Sequence, residues 1–566
     1  MKNLSFVSRI LWPLVLATGC AVEGAPPIDE PGDVQGIEEV TEGLTDLSAQ
    51  CSFVSGTGVA TLALATGDVA LVNKSSAGLV VVNGYSCGGA TSTTLKKLVV
   101  TGSGGAETLI LDYMGGTFAP GVTGAVGVDV DLGGGTDALK IRGSKAVDAF
   151  VFGASGITIN ADTLKDIAFA NVETFVATLS DGNDTFSAAG SATTGATSTA
   201  AVTVYGGAGD DTLRGGAGDD TFYGNDGNDT FTNGTAADGA DTFNGGAGTD
   251  TVDYSLRTAA VTVTIDGTAD DGAASETDDI KTDVEAVKGG LGDDDLTGST
   301  GADTPSGGTG NDTLAGLAGA DTLNGDAGND TFDEGAASNG ADTMNGGAGT
   351  DTVDYSGRSN AVTINLDTTA NDGEALELDK VVNDVENGIG GGGGDTIVGS
   401  ASDNVFDGGA GADTISGGVG NDTLKGGAGI DTLNGDAGDD VFDEGSATSG
   451  ADAMHGGAGT DTVNYSARTN DLTVVMDGAT GSGEASEGDT IFTDVENLTG
   501  GAGDDALTGN AFDNQIEGGA GVDTITGLAG DDVIDGNAGA DDVDCGLGDA
   551  DILLDSSVGT VANCEL

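Results

Sequence analysis

Basic residues are scarce in this 566-residue chain: 17 Lys and Arg stand against 93 Asp and Glu, a formal net charge of −76. That sign excludes nucleic acid as a partner, because phosphate contacts need a basic face. Histidine is nearly absent. His455 stands alone, so catalysis by a pair of imidazoles is excluded and the zinc-protease motif H-E-x-x-H cannot occur. Aromatic residues make up 4% with a single Trp, too little for the cores of the several ordinary domains that this length suggests. A polyanion with so thin a core either stays unfolded or recruits cations. Glycine is what the chain has in excess, 104 residues, and the choice depends on whether glycine and aspartate are periodic.

The N-terminus reads as an export signal. Lys2 and Arg9 form a short basic region, and Ile10 to Ala17 continue an apolar run too short to span a bilayer. It ends in Ala17-Thr18-Gly19-Cys20, which resembles a bacterial lipobox with Cys20 as the acylated first mature residue; an ordinary cleaved signal is the alternative. Removing residues 1–19 takes two bases and no acid, moving the charge from −76 to −78. Residues 20–50 carry Pro26, Pro27 and Pro31 among acids with no base, a flexible, self-repelling tether. Beyond Cys20 the cysteines are Cys51, Cys87, Cys545 and Cys564. An even count in an exported chain suggests disulfides, most simply Cys51–Cys87 and Cys545–Cys564, with unpaired buried thiols as the alternative.

A repeat organises the rest. Residues 206–214 read Gly-Gly-Ala-Gly-Asp-Asp-Thr-Leu-Arg, 215–223 Gly-Gly-Ala-Gly-Asp-Asp-Thr-Phe-Tyr, and 224–232 Gly-Asn-Asp-Gly-Asn-Asp-Thr-Phe-Thr. The rule is G-G-x-G-x-D-x-U-x, with U a large apolar residue. Tandem copies recur at 289–333, 390–443 and 500–544. A longer unit repeats as well: Gly245 to Ser255 returns at 346–356 and 456–466, and Asp283-Val-Glu285 at 384–386 and 494–496. Glycines at positions 1, 2 and 4 permit positive φ and a tight turn. Positions 7–9 form a short strand whose central residue points inward: Leu213, Phe222, Phe231, Leu314, Leu323, Ile415, Leu424. Two nonapeptides make a coil of 18 residues, and coils stack about 4.8 Å apart, so each edge becomes a column of mutually repelling carboxylates.

This pattern resembles the RTX (repeat-in-toxin, haemolysin-type) calcium-binding family. The resemblance implies an all-β fold, a parallel β-roll or β-helix solenoid in several arrays joined by β-rich spacers. It also implies multiple Ca²⁺ ions between turns of adjacent coils, held by sixth-position aspartates and backbone oxygens. The matching positions are Asp211, Asp220, Asp229 and Asp250 in the first array, then Asp294, Asp303, Asp312, Asp321, Asp330 and Asp351 in the second. The third has Asp395, Asp413, Asp422, Asp431, Asp440 and Asp461, and the last Asp505, Asp523, Asp532 and Asp541. Asn404 and Asn514 replace the aspartate in their copies, Pro305 is expected to interrupt the strand of 298–306, and the sixth residue of 545–553 is Ala550. Sites beside these copies are expected to be weak or empty.

Between arrays, residues 254–288 hold a strand at 261–265 and an acidic loop with Asp270, Asp271, Glu276, Asp278 and Asp279. Its counterparts are Asp372, Glu374, Glu377 and Asp379, then Glu484, Glu487 and Asp489. Two readings stand: a looser second calcium site, or a solvated spacer. Arg257, Arg358 and Arg468 recur after Tyr-Ser and are expected to pair with nearby carboxylates. Residues 51–200 have fewer acids but show degenerate copies around Glu107, Asp148 and Asp184, so they read as an eroded start of the same solenoid or as a separate β-sandwich. The division is therefore signal 1–19, tether 20–50, N-terminal region 51–200, and arrays with spacers or cap at 201–288, 289–388, 389–499 and 500–566.

Gly84-Tyr-Ser86-Cys-Gly88 matches the hydrolase elbow G-x-S-x-G literally. The elbow needs a strand–turn–helix setting and a histidine base, and no helical periodicity follows Ser86; His455 reads as a surface residue. The chain is therefore expected to be a non-enzymatic, calcium-folded structural or adhesive rod, extracellular or at the cell surface as an outer-membrane lipoprotein. Its partners are then calcium, an unspecified surface or matrix ligand, and a membrane only through the lipid on Cys20. The alternative is a secreted toxin or hydrolase whose arrays scaffold an effector in 51–200.

Overall fold

The computed structural model describes residues 44–115, 127–159, 165–548, 550–554 and 559–564. The signal at 1–19, Cys20 and the tether as far as residue 43 lie outside them. No α-helix occurs among the described residues; short strands and one 3₁₀ turn, Ser48–Gln50, make up the regular structure. The described residues form two compact units, one of those up to 144 with 166–172 and one of those in 145–165 and from 173 onward. The division falls inside 51–200.

In the first unit the main pairings are parallel, which a sandwich of antiparallel sheets does not have. Val59–Ala63 pairs with Lys97–Thr101, that strand with Val128–Asp131, and that in turn with Ile167–Ala170. A second series runs Val69–Lys74, Thr108–Asp112, Ala138–Arg142. Most of these strands alternate buried and more exposed residues, and Leu98, Val100, Leu109, Leu111, Val128 and Leu139 are all buried. The outer edges are antiparallel: Cys51–Val54 closes the first series, and Leu79–Val82 with Tyr85–Thr91 closes the second. Cys51 and Cys87 are joined there, with Cα atoms 5.3 Å apart.

The second unit is a parallel β-solenoid. Register advances by 18 residues per coil: Thr212, Leu213 and Arg214 lie against Thr230, Phe231 and Thr232, and Thr203–Tyr205 against Thr221–Tyr223. The three-residue strands follow from this register. The eighth residue of each nonapeptide is buried and its neighbours face outward, so identical positions stack into continuous columns. Leu213, Phe222, Phe231, Leu314, Leu323, Ile415 and Leu424 are all fully buried, and the Phe222 and Phe243 rings stack at 5.7 Å. From Leu314 to Leu553 this interior forms one cluster. The expected break at Pro305 does not occur. Strand Thr304–Thr309 runs through it, with Pro305 buried opposite Val287. The missing N–H is felt only on the other side, where pairing with Thr322–Ala327 begins at Ser306.

The three spacers interrupt the stack in one manner. One sheet crosses each insertion directly: Thr251–Asp253 pairs with Ala286–Lys288, Thr352–Asp354 with Asn387–Ile389, and Thr462–Asn464 with Asn497–Thr499. The opposite sheet ends on Asp279–Ile280, Lys380–Val381 or Thr490–Ile491. A new one starts at Val261–Thr264, Val362–Asn365 or Leu472–Val475, each edged by a two-residue antiparallel strand. At the far end Cys545 and Cys564 are joined, Cα atoms 5.0 Å apart, across the pair Asp542–Asp544 and Thr560–Ala562.

Candidate metal sites

Every sixth-position side chain turns back into the stack. In successive coils the N–H of one aspartate donates to Oδ1 of the next: Asp211 to Asp229, Asp229 to Asp250, Asp312 to Asp330 and Asp330 to Asp351, each at 2.8 Å. A second ladder runs the opposite way through the exposed fifth positions, as when Asn329 N–H donates to Asn311 Oδ1 at 2.8 Å and Thr350 N–H to Asn329 Oδ1 at 3.0 Å. Two side-chain ladders thus hold each edge, and the inner one places carboxylates out of solvent.

The second carboxylate oxygen divides the twenty aspartates into two groups. In Asp211, Asp229, Asp250, Asp312, Asp321, Asp330, Asp351, Asp413, Asp422, Asp431, Asp440, Asp461, Asp523, Asp532 and Asp541, Oδ2 is buried and accepts no hydrogen bond. In Asp220, Asp294, Asp303, Asp395 and Asp505 it accepts the N–H of residue i−4 in its own turn, at 2.5–2.8 Å. The same closure serves Asn404 and Asn514, whose Oδ1 atoms accept from Ser400 and Asn510 while their Nδ2 groups donate to the carbonyls of Glu386 and Glu496. The Oδ1 and Nδ2 atoms of these amides are satisfied by protein alone.

The self-closed turns are the first of each run. Those of Asp294, Asp395 and Asp505 rest on the carbonyls of Arg257, Arg358 and Arg468, and that of Asp220 on Ser198. Each later turn stacks on another nonapeptide turn and is open. Backbone conformation switches with it: Gly207 and Gly209, before the open Asp211, have φ of +120° and +124°, whereas Gly216 and Gly218, before the closed Asp220, do not enter the left-handed region. With position 2 left-handed, its N–H no longer reaches Oδ2 and the carboxylate is left free. The first-position glycine has a different purpose from the expected positive φ, which it does not adopt. A Cβ at Gly206 would strike Asp211 Oδ2 and lie 2.8 Å from the Gly224 carbonyl oxygen. The space it leaves is bordered by a carboxylate oxygen and a carbonyl oxygen of the following coil.

Burial raises Asp211, Asp413 and Asp461 well above the ordinary carboxyl value near 3.8. It pushes Asp211 up to about 8, with the charges of Asp229 and Asp184 adding, and Asp413 and Asp461 up to about 7. A buried row of charged oxygens without donors is unfavourable. A hard dication is what oxygen donors of these two kinds accommodate, so the residues present fit calcium.

Several members of the rows were not legible in the nonapeptide rule. Asp241, Asp342 and Asp452 continue the ladder, accepting from Asp220, Asp321 and Asp431 at 2.8 Å, but 21 residues along instead of 18. Three inserted residues hide them; the tripeptides Asp241-Thr-Phe243, Asp342-Thr-Met344 and Asp452-Ala-Met454 were the available signal. The glutamates of the Asp-Val-Glu units, Glu285, Glu386 and Glu496, end runs by accepting from Asp250, Asp351 and Asp461 at 2.8, 2.9 and 2.9 Å. At the C-terminal end, the expectation built on Ala550 is corrected. A one-residue shift puts Asp551 in the role, where it accepts the N–H of Asp532 at 3.0 Å and is buried.

The spacer acids are not a solvated loop. Asp271, Glu276, Asp278, Asp372, Glu377, Asp379, Glu487 and Asp489 are buried, though Asp270 is exposed. Asp271 clips two strands by accepting from Thr264 and Ile280, at 2.7 and 3.0 Å, and Asp372 does the same with Asn365 and Val381. The recurrent arginines are buried against carboxylates: Arg257 on Glu276 at 2.5 Å, Arg358 on Glu377 at 3.0 Å, Arg468 on Glu487 at 2.8 Å. Ser86 lies within strand Tyr85–Thr91, its Oγ accepting from Gly89 at 3.3 Å. His455 is half-buried and stacked on Phe492 with centroids 3.6 Å apart, not free on the surface.

The RTX calcium-binding nonapeptide repeat model matches residues 203–231, 235–255, 287–305, 306–336, 333–357, 389–424, 416–446, 443–467, 499–534 and 517–552. No curated protein matches the chain. The matched stretches contain all twenty sixth-position aspartates, the open and the self-closed alike. Through these repeats, from 203 to 552, the chain belongs to the RTX calcium-binding nonapeptide repeat family.

Proposed function

We propose that this chain is an exported structural or adhesive protein of the cell exterior that folds on meeting extracellular calcium. The observation that carries the reading is the rows of buried Oδ2 atoms that accept no hydrogen bond. A solenoid with this interior is unfavourable without counter-charge, and metal binding then contributes directly to folding. Low calcium inside the cell keeps the polyanion extended; millimolar calcium outside closes the coils. The lipobox-like Ala17-Thr18-Gly19-Cys20 supports an outer-membrane lipoprotein held by its lipid, with the repeats facing a surface or matrix ligand. A structural rather than catalytic role is supported by Cys87, next to Ser86, being committed to a disulfide.

Circular dichroism of the full chain with and without chelator tests the folding claim: β-structure should appear with calcium and be lost on its removal. Unchanged β-structure after exhaustive chelation refutes it. Anchoring is tested separately by metabolic fatty-acid labelling. Wild-type protein should take the label and Cys20→Ser should not; an unlabelled wild type leaves a soluble secreted protein.

A further inference from the structure

Each expanded turn departs from the nonapeptide at its first position. Before strands Thr343–Ala348 and Ala453–Ala458, the residue that is glycine in an ordinary turn is Glu334 or Glu444. Where glycine leaves the cradle open, these side chains enter it. Glu334 is 1% exposed; its Oε2 accepts from Asn339 Nδ2 at 2.8 Å, but its buried Oε1 has no partner. Asp342 Oδ2 and Asp452 Oδ2, from the same turns, are likewise buried without one. Carboxylate oxygens of Glu334, Glu377 and Asp379 lie within 4.8 Å of one another, as do those of Glu444, Asp452 and Asp489. Around Glu334 four buried carboxylates face one guanidinium, Arg358, which reaches Glu377 at 3.0 Å and Glu334 at 3.5 Å. One arginine cannot compensate four acids removed from water.

The first block supplies an internal contrast. Its equivalent residue is Asn233, and Asp238 is taken up by Arg257 at 2.6 Å. Among the described residues no comparable acidic group forms there.

We propose that the expanded turns of the second and third blocks each hold a further calcium ion, on Glu334 with Glu377 and Asp379 and on Glu444 with Asp452 and Asp489. All-oxygen, carboxylate-rich ligation suits a hard dication. These sites differ from the slots between nonapeptide turns in lying inside the stack and in drawing a ligand from the first turn position. Tyr355 O–H donates to Asp379 Oδ2 at 2.9 Å and Tyr465 O–H to Asp489 Oδ2 at 2.7 Å, so a bound lanthanide would sit beside a tyrosine.

The test uses the full chain refolded in calcium and titrated with terbium, with emission excited through tyrosine and bound calcium counted by equilibrium dialysis. Glu334→Gln/Glu444→Gln, which keeps side-chain length, should bind two fewer ions and lose the emission from Tyr355 and Tyr465, with β-structure retained in calcium. An unchanged ion count and unchanged emission overturn the proposal and leave Glu334 as a residue paired only with Asn339 and Arg358. Should the double variant not fold, Asn233→Glu/Asp238→Asn decides by gain: one added ion with new emission from Tyr254 supports the sites, and no gain overturns them. A wild-type chain that binds no calcium defeats the nonapeptide slots as well, an outcome separate from loss confined to the expanded turns.

Discussion

A single oxygen atom per repeat separates aspartates that look identical in sequence. Asp330 and Asp294 occupy the same position of the same motif, yet Asp330 Oδ2 is free while Asp294 Oδ2 is closed by Gly290 N–H at 2.5 Å. Asp330→Asn should therefore remove one ion and lower stability in calcium by about 1.5–3 kcal/mol, the scale of an interaction with a charged group. Asp294→Asn should leave the ion count unchanged. Calorimetric stoichiometry and melting in calcium check the pair, and equal ion loss from both substitutions defeats the distinction. Gly325→Ala tests the cradle: a Cβ there meets Asp330 Oδ2 and the Gly346 carbonyl, so one ion should be lost although the backbone, not in the left-handed region, tolerates alanine.

At the scale of the strand and turn, stability comes from columns one side chain wide. Leu323 is fully buried between coils, and Leu323→Ala should cost about 2–5 kcal/mol, the usual range for a buried Leu→Ala; calcium-saturated denaturant melts measure it. Much of this level was legible. The nine-residue period gave the strands, their inward residue and their parallel stacking, because one apolar residue per strand leaves few alternatives for burial. Less legible were features made by what lies one coil away. Asp241, Asp342 and Asp452 were hidden by three inserted residues, since the eye follows spacing whereas the ladder follows space. Pro305 reads as a breaker, but a parallel strand that loses one donor on one side keeps its other pairing. The self-closed turns have no signature of their own; closure depends on whether the segment beneath is another nonapeptide turn.

For the chain as a whole, electrostatics links folding to both metal and proton. Burial sets Asp211, Asp413 and Asp461 at about 8, 7 and 7 in the folded, metal-free protein, against an ordinary value near 3.8. A folded-state pKa above the unfolded one means the folded chain binds more protons, so stability falls as pH rises. That contribution is complete below about pH 4 and lost as pH climbs through 6–8. In chelator the β-structure lost at pH 8 should accordingly return in part at pH 5, while calcium should flatten the dependence; a chelated chain with more β-structure at pH 8 than at pH 5 overturns this. Reduction of Cys545–Cys564 should raise hydrogen exchange in the final coil, around Asp542–Asp544 and Thr560–Ala562, and leave the central arrays protected.

The dependence of each open turn on a turn beneath it has a consequence for how such chains change length. A run of stacked turns has one fewer gap than it has turns, and the bottom member seals itself with its own backbone. Each duplicated block brings spacer, sealed starter and open followers together. Copying or deleting a whole block therefore leaves every remaining gap matched, whereas losing a lone nonapeptide would shift one edge out of step with the other.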